Sequence, residues 1–176
     1  MQEVMIDLET LDNKSSAAIV SIGACVFDRL TGKIIDTFYR RIDMEAAIAS
    51  GGTCSGSTLI WWMQQDDEAR IELTKGGSKI SVAMADFIKF LPANCIVWGN
   101  GSSFDISILE MTLQRLKLEC PWEFWNVRDV RTVLDLASHL VKKSDIPFVD
   151  TKHNALADAI HQATYVAAMI SALKAK

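Results

Sequence analysis

The chain has 176 residues, 18 Lys+Arg against 22 Asp+Glu for a net charge of −4, with 49% hydrophobic and 23% charged residues. These proportions exclude a wholly disordered chain, and the length suits one domain whose core needs no metal or disulfide staples. The acidic balance argues against a basic face gripping long duplex DNA, while leaving room for an enzyme that meets a short nucleic acid through bound cations.

The longest uncharged apolar run, Ala17 to Phe27, falls short of the ~20 residues a membrane-spanning helix needs. The N-terminal Met-Gln-Glu lacks the basic-then-apolar pattern of a signal peptide. A soluble, cytoplasmic protein with no membrane partner is expected. Cys25, Cys54, Cys95 and Cys120 form no C-x-x-C pair, which argues against structural zinc. Three of the four sit among apolar residues and read as buried free thiols. Without repeats, low-complexity tracts or long linkers, residues 1–176 read as a single domain.

In chain order, Val4-Met5-Ile6, Ala18 to Phe27 and Lys33 to Ile42 read as strands. Asp28-Arg29-Leu30-Thr31-Gly32 forms a hairpin turn between the last two. Gly51 to Ser57 and Thr74 to Ser78 read as loops. Helices are predicted over Ser57–Gln65, Ser78–Leu91, Phe104–Leu116, Val130–Val141 and Asn154–Leu173. The last has Asn154 as N-cap and a stripe at Ile160, Thr164, Ala167, Ile170 and Leu173. Cys95 to Trp98 reads as a central strand and Phe124 to Val127 as a candidate fifth. Three strands followed by strand–helix units predict an α/β fold: a mixed five-stranded sheet flanked by helices, in the order of ribonuclease H-like folds.

Asp7-Leu8-Glu9 closes the first strand, and residues two apart on a strand share a face. Two carboxylates held together raise each other's pKa unless a cation lies between them, and oxygen ligands suit Mg²⁺ or Mn²⁺. The spacing alone is weak evidence, because Asp43/Glu45 and Asp66/Glu68 repeat it in polar stretches. Asp105 falls in the first turn of a helix, after the strand Cys95–Trp98 and the turn Gly99-Asn100-Gly101-Ser102-Ser103. That turn lacks the third glycine of a dinucleotide fingerprint, since Phe104 stands there. In Lys152-His153-Asn154-Ala155-Leu156-Ala157-Asp158, the cap at Asn154 leaves His153 just outside the helix and Asp158 one turn inside. Of the three histidines, His139 and His161 fall within helices as surface or packing residues. His153 is the candidate for proton transfer near neutral pH.

Taken in order, Asp7-x-Glu9-Thr10, Asn100-x-x-x-Phe104-Asp105 and His153-Asn154-Ala155-x-x-Asp158 resemble the three motifs of the DEDDh 3′–5′ exonucleases. Together with Trp61-Trp62-x-x-Gln65, Val97-Trp98-Gly99-Asn100-Gly101 and Arg128-Asp129-x-Arg131-Thr132, they are similar to one compact branch of that family. This branch holds phage and prophage exodeoxyribonuclease VIII-like proteins and a mycobacterial 3′ exoribonuclease. The resemblance implies a metal-dependent 3′–5′ exonuclease acting on single-stranded RNA or DNA ends with two divalent cations, Mg²⁺ or Mn²⁺. It makes Asp7, Glu9, Asp105 and Asp158 the metal ligands, Asp7 bridging both ions and Asp105 serving the second through water. His153 becomes the general base. It also implies substrate contacts at Thr10, Leu11, Asn100 and Phe104. Trp61 and Trp62 are candidate stacking platforms. Adjacent helix positions diverge by ~100°, so one should lie in the core and the other near substrate. Trp122 and Trp125 read as packing or interface residues, and Arg128, Asp129 and Arg131 as phosphate contacts or an ion-pair network. A homodimer is suggested by the family and the surplus tryptophans. The competing readings are a ribonuclease H-like endonuclease, against which the His153–Asp158 pair argues, and a non-catalytic nucleic-acid-binding module.

Overall fold

The computed structural model describes residues 1–148 and 153–175; Lys152, directly before the third motif, lies outside them. Its elements are β1 (Glu3–Thr10), β2 (Ile19–Phe27), β3 (Ile34–Arg41), α1 (Met44–Ala49), α2 (Gly56–Met63), α3 (Asp67–Thr74), α4 (Ile80–Phe90), β4 (Ile96–Gly99), α5 (Ser102–Arg115), β5 (Val127–Asp129), α6 (Val130–Ala137) and α7 (Ala155–Lys174). The sheet order is β3-β2-β1-β4-β5, antiparallel across β1–β2–β3 and parallel from β1 through β4 to β5. This is the mixed α/β sheet that the strand order predicts. No helix among the described residues is long and apolar enough to cross a membrane.

β1 is central and covered on both faces, which is why its apolar run shows no clean alternation. Val4, Ile6 and Leu8 face a core completed by Met84, Phe87, Ile108 and Leu109 of α4 and α5. Met5 faces the opposite core with Trp98, Val130, Ala163, Val166 and Met169. The odd positions Glu3, Met5, Asp7 and Glu9 therefore share the face that α7 covers.

Several boundaries differ from expectation. β1 continues through Asp7 and Glu9 to Thr10, because β2 pairs along its whole length, with a bulge only between Glu9 and Thr10. Residues Phe124–Asn126 form a 3₁₀ turn and β5 starts at Val127, where pairing with Val97 begins. α6 stops at Ala137, whose carbonyl accepts the N–H groups of Leu140 and Val141, so His139 lies beyond the helix. The short α1 and α3 are not among the predicted helices, and each is nucleated by an Asp cap, Asp43 or Asp66. The buried residues of α7 are Ala155, Ala157, Ala159, Gln162, Ala163, Tyr165, Val166, Ala167 and Met169, so Ala167 of the predicted stripe is inside, while Thr164 and Leu173 are exposed. Small alanines let this helix approach β1 and β2 closely, and the bulkier Ile160 and Ile170 sit at its flanks. All four cysteines are free, but only Cys25 and Cys95 are buried.

Candidate active site

The site forms where the C-terminal half of β1 meets the start of α7. Asp7 stands opposite Gly23 of β2. A Cβ at Gly23 would lie 2.1 Å from the Ala155 carbonyl carbon and the Leu156 nitrogen. Only glycine lets the first turn of α7 rest directly on β2, and this contact carries Asp158 to the paired acids of β1. Asn154 caps the helix, its Oδ1 accepting from the N–H groups of Leu156 and Ala157 at 3.1 Å. His153 precedes the cap in the left-handed region, φ 61°. Its backbone N–H donates to Asp158 Oδ2 at 3.0 Å, so the last motif is tied together through its own main chain.

Asp7, Glu9 and Asp158 come together: one oxygen from each lies within 4.8 Å of the others, and all three residues are half-buried. Burial raises the Asp7 pKa, and the charges of Asp105, Glu9 and Asp158 raise it further against an opposing hydrogen bond from Gln162. Burial and the charges of Asp158 and Asp105 push Glu9 from 4.5 to about 8. Oxygen donors that repel one another until positive charge arrives fit a hard divalent cation.

Asp105 lies outside this trio. β4 ends at Gly99, paired with Ile6, so β1 runs on beyond its neighbour and Leu8 has an open N–H. Asp105 Oδ1 accepts that N–H at 3.2 Å. Burial lifts its pKa to about 7, opposed by the Leu8 bond, its own backbone N–H and Arg131.

The histidine ring stands edge-on to Trp61, 5.1 Å between centroids. It divides two hollows: one of about 320 Å³ against Glu68, Ile71, Glu72 and Lys75, and one of about 550 Å³ against Lys143, Pro147, Phe148 and His161. His161 packs between Phe148 and Tyr165. The two adjacent tryptophans part as the helix geometry requires. Trp62 is buried and donates from Nε1 to the Thr10 carbonyl at 2.9 Å, whereas Trp61 is 41% exposed. Thr10 donates its hydroxyl to the Asp12 carbonyl, and Leu11 is buried. Asn100 and Phe104 are half-buried beside Asp105. Trp122 packs inside with its indole on Glu110, while Trp125 is exposed against Phe124. Asp129 spends its carboxylate on the N–H groups of Ser102 and Thr132, joining the starts of α5 and α6.

Two residues of the site escape a reading of motifs. Gly23 has its role set by a helix far along the chain. Gln162, buried on α7, donates from Nε2 to Asp7 Oδ1 at 2.7 Å. Its only local signal is a polar residue four positions after Asp158, on the same helix face.

A model of the Rv2179c-like 3′–5′ exoribonuclease domain matches residues 2–170. An exodeoxyribonuclease of Enterobacteria phage T4 is 28% identical, the match covering 77% of this chain and 71% of the phage protein. The nuclease domain of 3′hExo, a DEDDh family member solved with rAMP, superposes with a TM-score of 0.62 at 16% identity, over 96% of this chain and 91% of that one. Exonuclease I of E. coli with a dT13 oligonucleotide gives 0.67 at 12% identity, over 99% of this chain but only 42% of that longer protein. With its motifs in order on the same fold, the chain belongs to the Rv2179c-like 3′–5′ exoribonuclease domain family and is a DEDDh 3′–5′ exonuclease.

Proposed function

We propose that residues 1–176 act as one exonuclease domain that removes nucleoside 5′-monophosphates from the 3′ end of single-stranded RNA or DNA, using two divalent cations, Mg²⁺ or Mn²⁺. The observation that carries this reading is the trio Asp7, Glu9 and Asp158, three carboxylate oxygens within 4.8 Å on a half-buried surface. Asp7, Glu9 and Asp158 would be the direct cation ligands, and Asp105, which stands apart from this trio, would serve the second cation. When bound, the paired cations supply charge stabilisation to both the attacking and the leaving oxygen at phosphorus.

The chain's own groups do the rest. His153 accepts the proton of the attacking water. Its main-chain bond to Asp158 keeps that base beside the acid cluster. Trp61 offers an exposed ring for base stacking. Trp62 holds the Thr10 carbonyl, and so fixes the turn carrying Thr10 and Leu11 where the 3′-terminal nucleotide is expected. Asn100 and Phe104 line the side next to Asp105. Arg131, whose guanidinium carbon would stand 3.2 Å from a Cβ on Gly101, is the phosphate contact at that rim.

The test uses RNA and DNA oligonucleotides of one sequence, labelled at the 5′ end, with Mg²⁺, Mn²⁺ or EDTA. The expected result is a ladder that shortens from the 3′ end with either metal, is lost in EDTA and is absent in Asp7→Ala. Cleavage of a circular substrate, or shortening that persists in EDTA, would contradict the proposal.

A further inference from the structure

Gln162 sits where an apolar residue is expected. It is 4% exposed on the face of α7 that packs against β1 and β2, among alanines and Val166. Half of its amide is used, Nε2 donating to Asp7 Oδ1 at 2.7 Å. The other half is not: among the described residues, Oε1 is buried with no hydrogen-bond partner. Burying a carbonyl without a partner is unfavourable, so a methionine or leucine would leave this interior better satisfied. The fold keeps the amide even so, and its one bond runs to the carboxylate at the centre of the acid cluster.

The identity of the donor matters as much as its presence. On the same strand face, Glu3 is met by the Arg29 guanidinium at 3.1 Å. A lysine or arginine in place of Gln162 would neutralise Asp7 and compete with any cation there. A neutral amide occupies one lone pair of Oδ1, and fixes the plane of the carboxylate, without cancelling its charge. The remaining lone pairs stay available to a cation shared with Glu9 and Asp158, whose oxygens lie within 4.8 Å. Held this way, the acid need not be reoriented when a cation enters.

We infer that Gln162 is a positioning residue that holds Asp7 in its cation-receiving orientation, at the expense of an unsatisfied carbonyl in the metal-free protein. The inference rests on the proposed metal-dependent function. Tyr165, one turn further along α7, is the internal control. It is fully buried, and its hydroxyl likewise has no hydrogen-bond partner among the described residues, Asp7 included.

The experiment titrates Mn²⁺ alone into the metal-free full chain by calorimetry, for the wild type, Gln162→Met and Tyr165→Phe, and records the metal-free melting temperature of each. Gln162→Met is expected to bind Mn²⁺ ~10–100-fold more weakly, as for other groups that orient a ligand, while melting at or above the wild-type temperature. Tyr165→Phe is expected to stay within about twofold of wild-type affinity. Should the methionine variant fail to fold, Gln162→Asn keeps an amide one methylene too short to reach Asp7, and the same loss is expected. Unchanged affinity in the Gln162 variant, or an equal loss in Tyr165→Phe, overturns the role of Gln162 alone. A wild-type protein that binds no Mn²⁺ overturns the metal-dependent function as well.

Discussion

The two ends of β1 treat buried acid in opposite ways. At the first end Glu3 is 5% exposed, accepts the Trp98 indole N–H at 2.5 Å and pairs with Arg29 at 3.1 Å. At the other end, four and six residues along the same face, Asp7 and Glu9 meet Asp158, and burial with like charge raises their pKa values. Glu72, close to His153, follows the first pattern: burial pushes it up, but Lys75, Arg41 and Tyr39 outweigh this and bring it to about 2. A chain that supplies arginine and indole to Glu3, and two cations with a phenol to Glu72, has the means to neutralise a buried carboxylate. Among the described residues Asp7 and Glu9 are met by one neutral amide, which marks them as reserved for charge from outside the chain.

Substitutions should break this contrast in opposite senses. The largest effect is expected from Asp7→Asn, which keeps the shape and the Gln162 bond but loses a cation ligand. Charge stabilisation by metal is worth several kcal/mol, so kcat/KM should fall ~10³-fold or more in a steady-state assay. His153→Ala should lower kcat by ~10²-fold or more, the usual contribution of a general base, with Mn²⁺ affinity measured by calorimetry unchanged. The adjacent tryptophans repeat the division between structure and function. Trp62→Ala should cost about 3–5 kcal/mol in denaturant unfolding. Trp61→Ala should leave stability nearly intact and raise KM by the equivalent of ~1–3 kcal/mol of stacking. At the compensated end, Glu3→Ala strands the Trp98 N–H and should lower stability by ~1–3 kcal/mol with turnover unchanged.

The smallest and most diagnostic effect is a pH dependence. Glu9 titrates near 8 in the folded chain against an ordinary 4.5, and Asp105 near 7 against 3.8. Between those values the native state holds protons that the unfolded chain has released. Their stabilising contribution is complete below about pH 4 and is lost as pH rises through 7 to 8. Metal-free melting temperature should therefore decline across this interval, and Mn²⁺ should flatten the decline. The same linkage makes Mn²⁺ affinity rise with pH, because binding displaces protons.

Much of this arrangement is legible in the sequence because it is local. The acids of β1 alternate with buried apolar residues, Asn154 announces the start of α7, and the acids recur in the order that the DEDDh motifs require. The two tryptophans can be told apart from helix geometry alone, and Trp62 is indeed the buried one. What escapes depends on distant partners. Gly23 is needed only because Ala155 lands on it. Gln162 looks like any helical glutamine until α7 lies against β1. The packed face of α7 is misjudged because alanines carry little hydrophobic signal, although they permit the closest approach. The helices α1, of six residues, and α3, of eight mostly polar ones, are too short for periodicity to show.

Four melting curves test the central claim most directly: wild type and Asp7→Asn, each without metal and with Mn²⁺, at pH 8. If Asp7 is an uncompensated charge held for a cation, Asp7→Asn melts higher without metal and the wild type melts higher with Mn²⁺. A wild type that is the more stable under both conditions would show that Asp7 is already compensated within the fold, and would contradict the account.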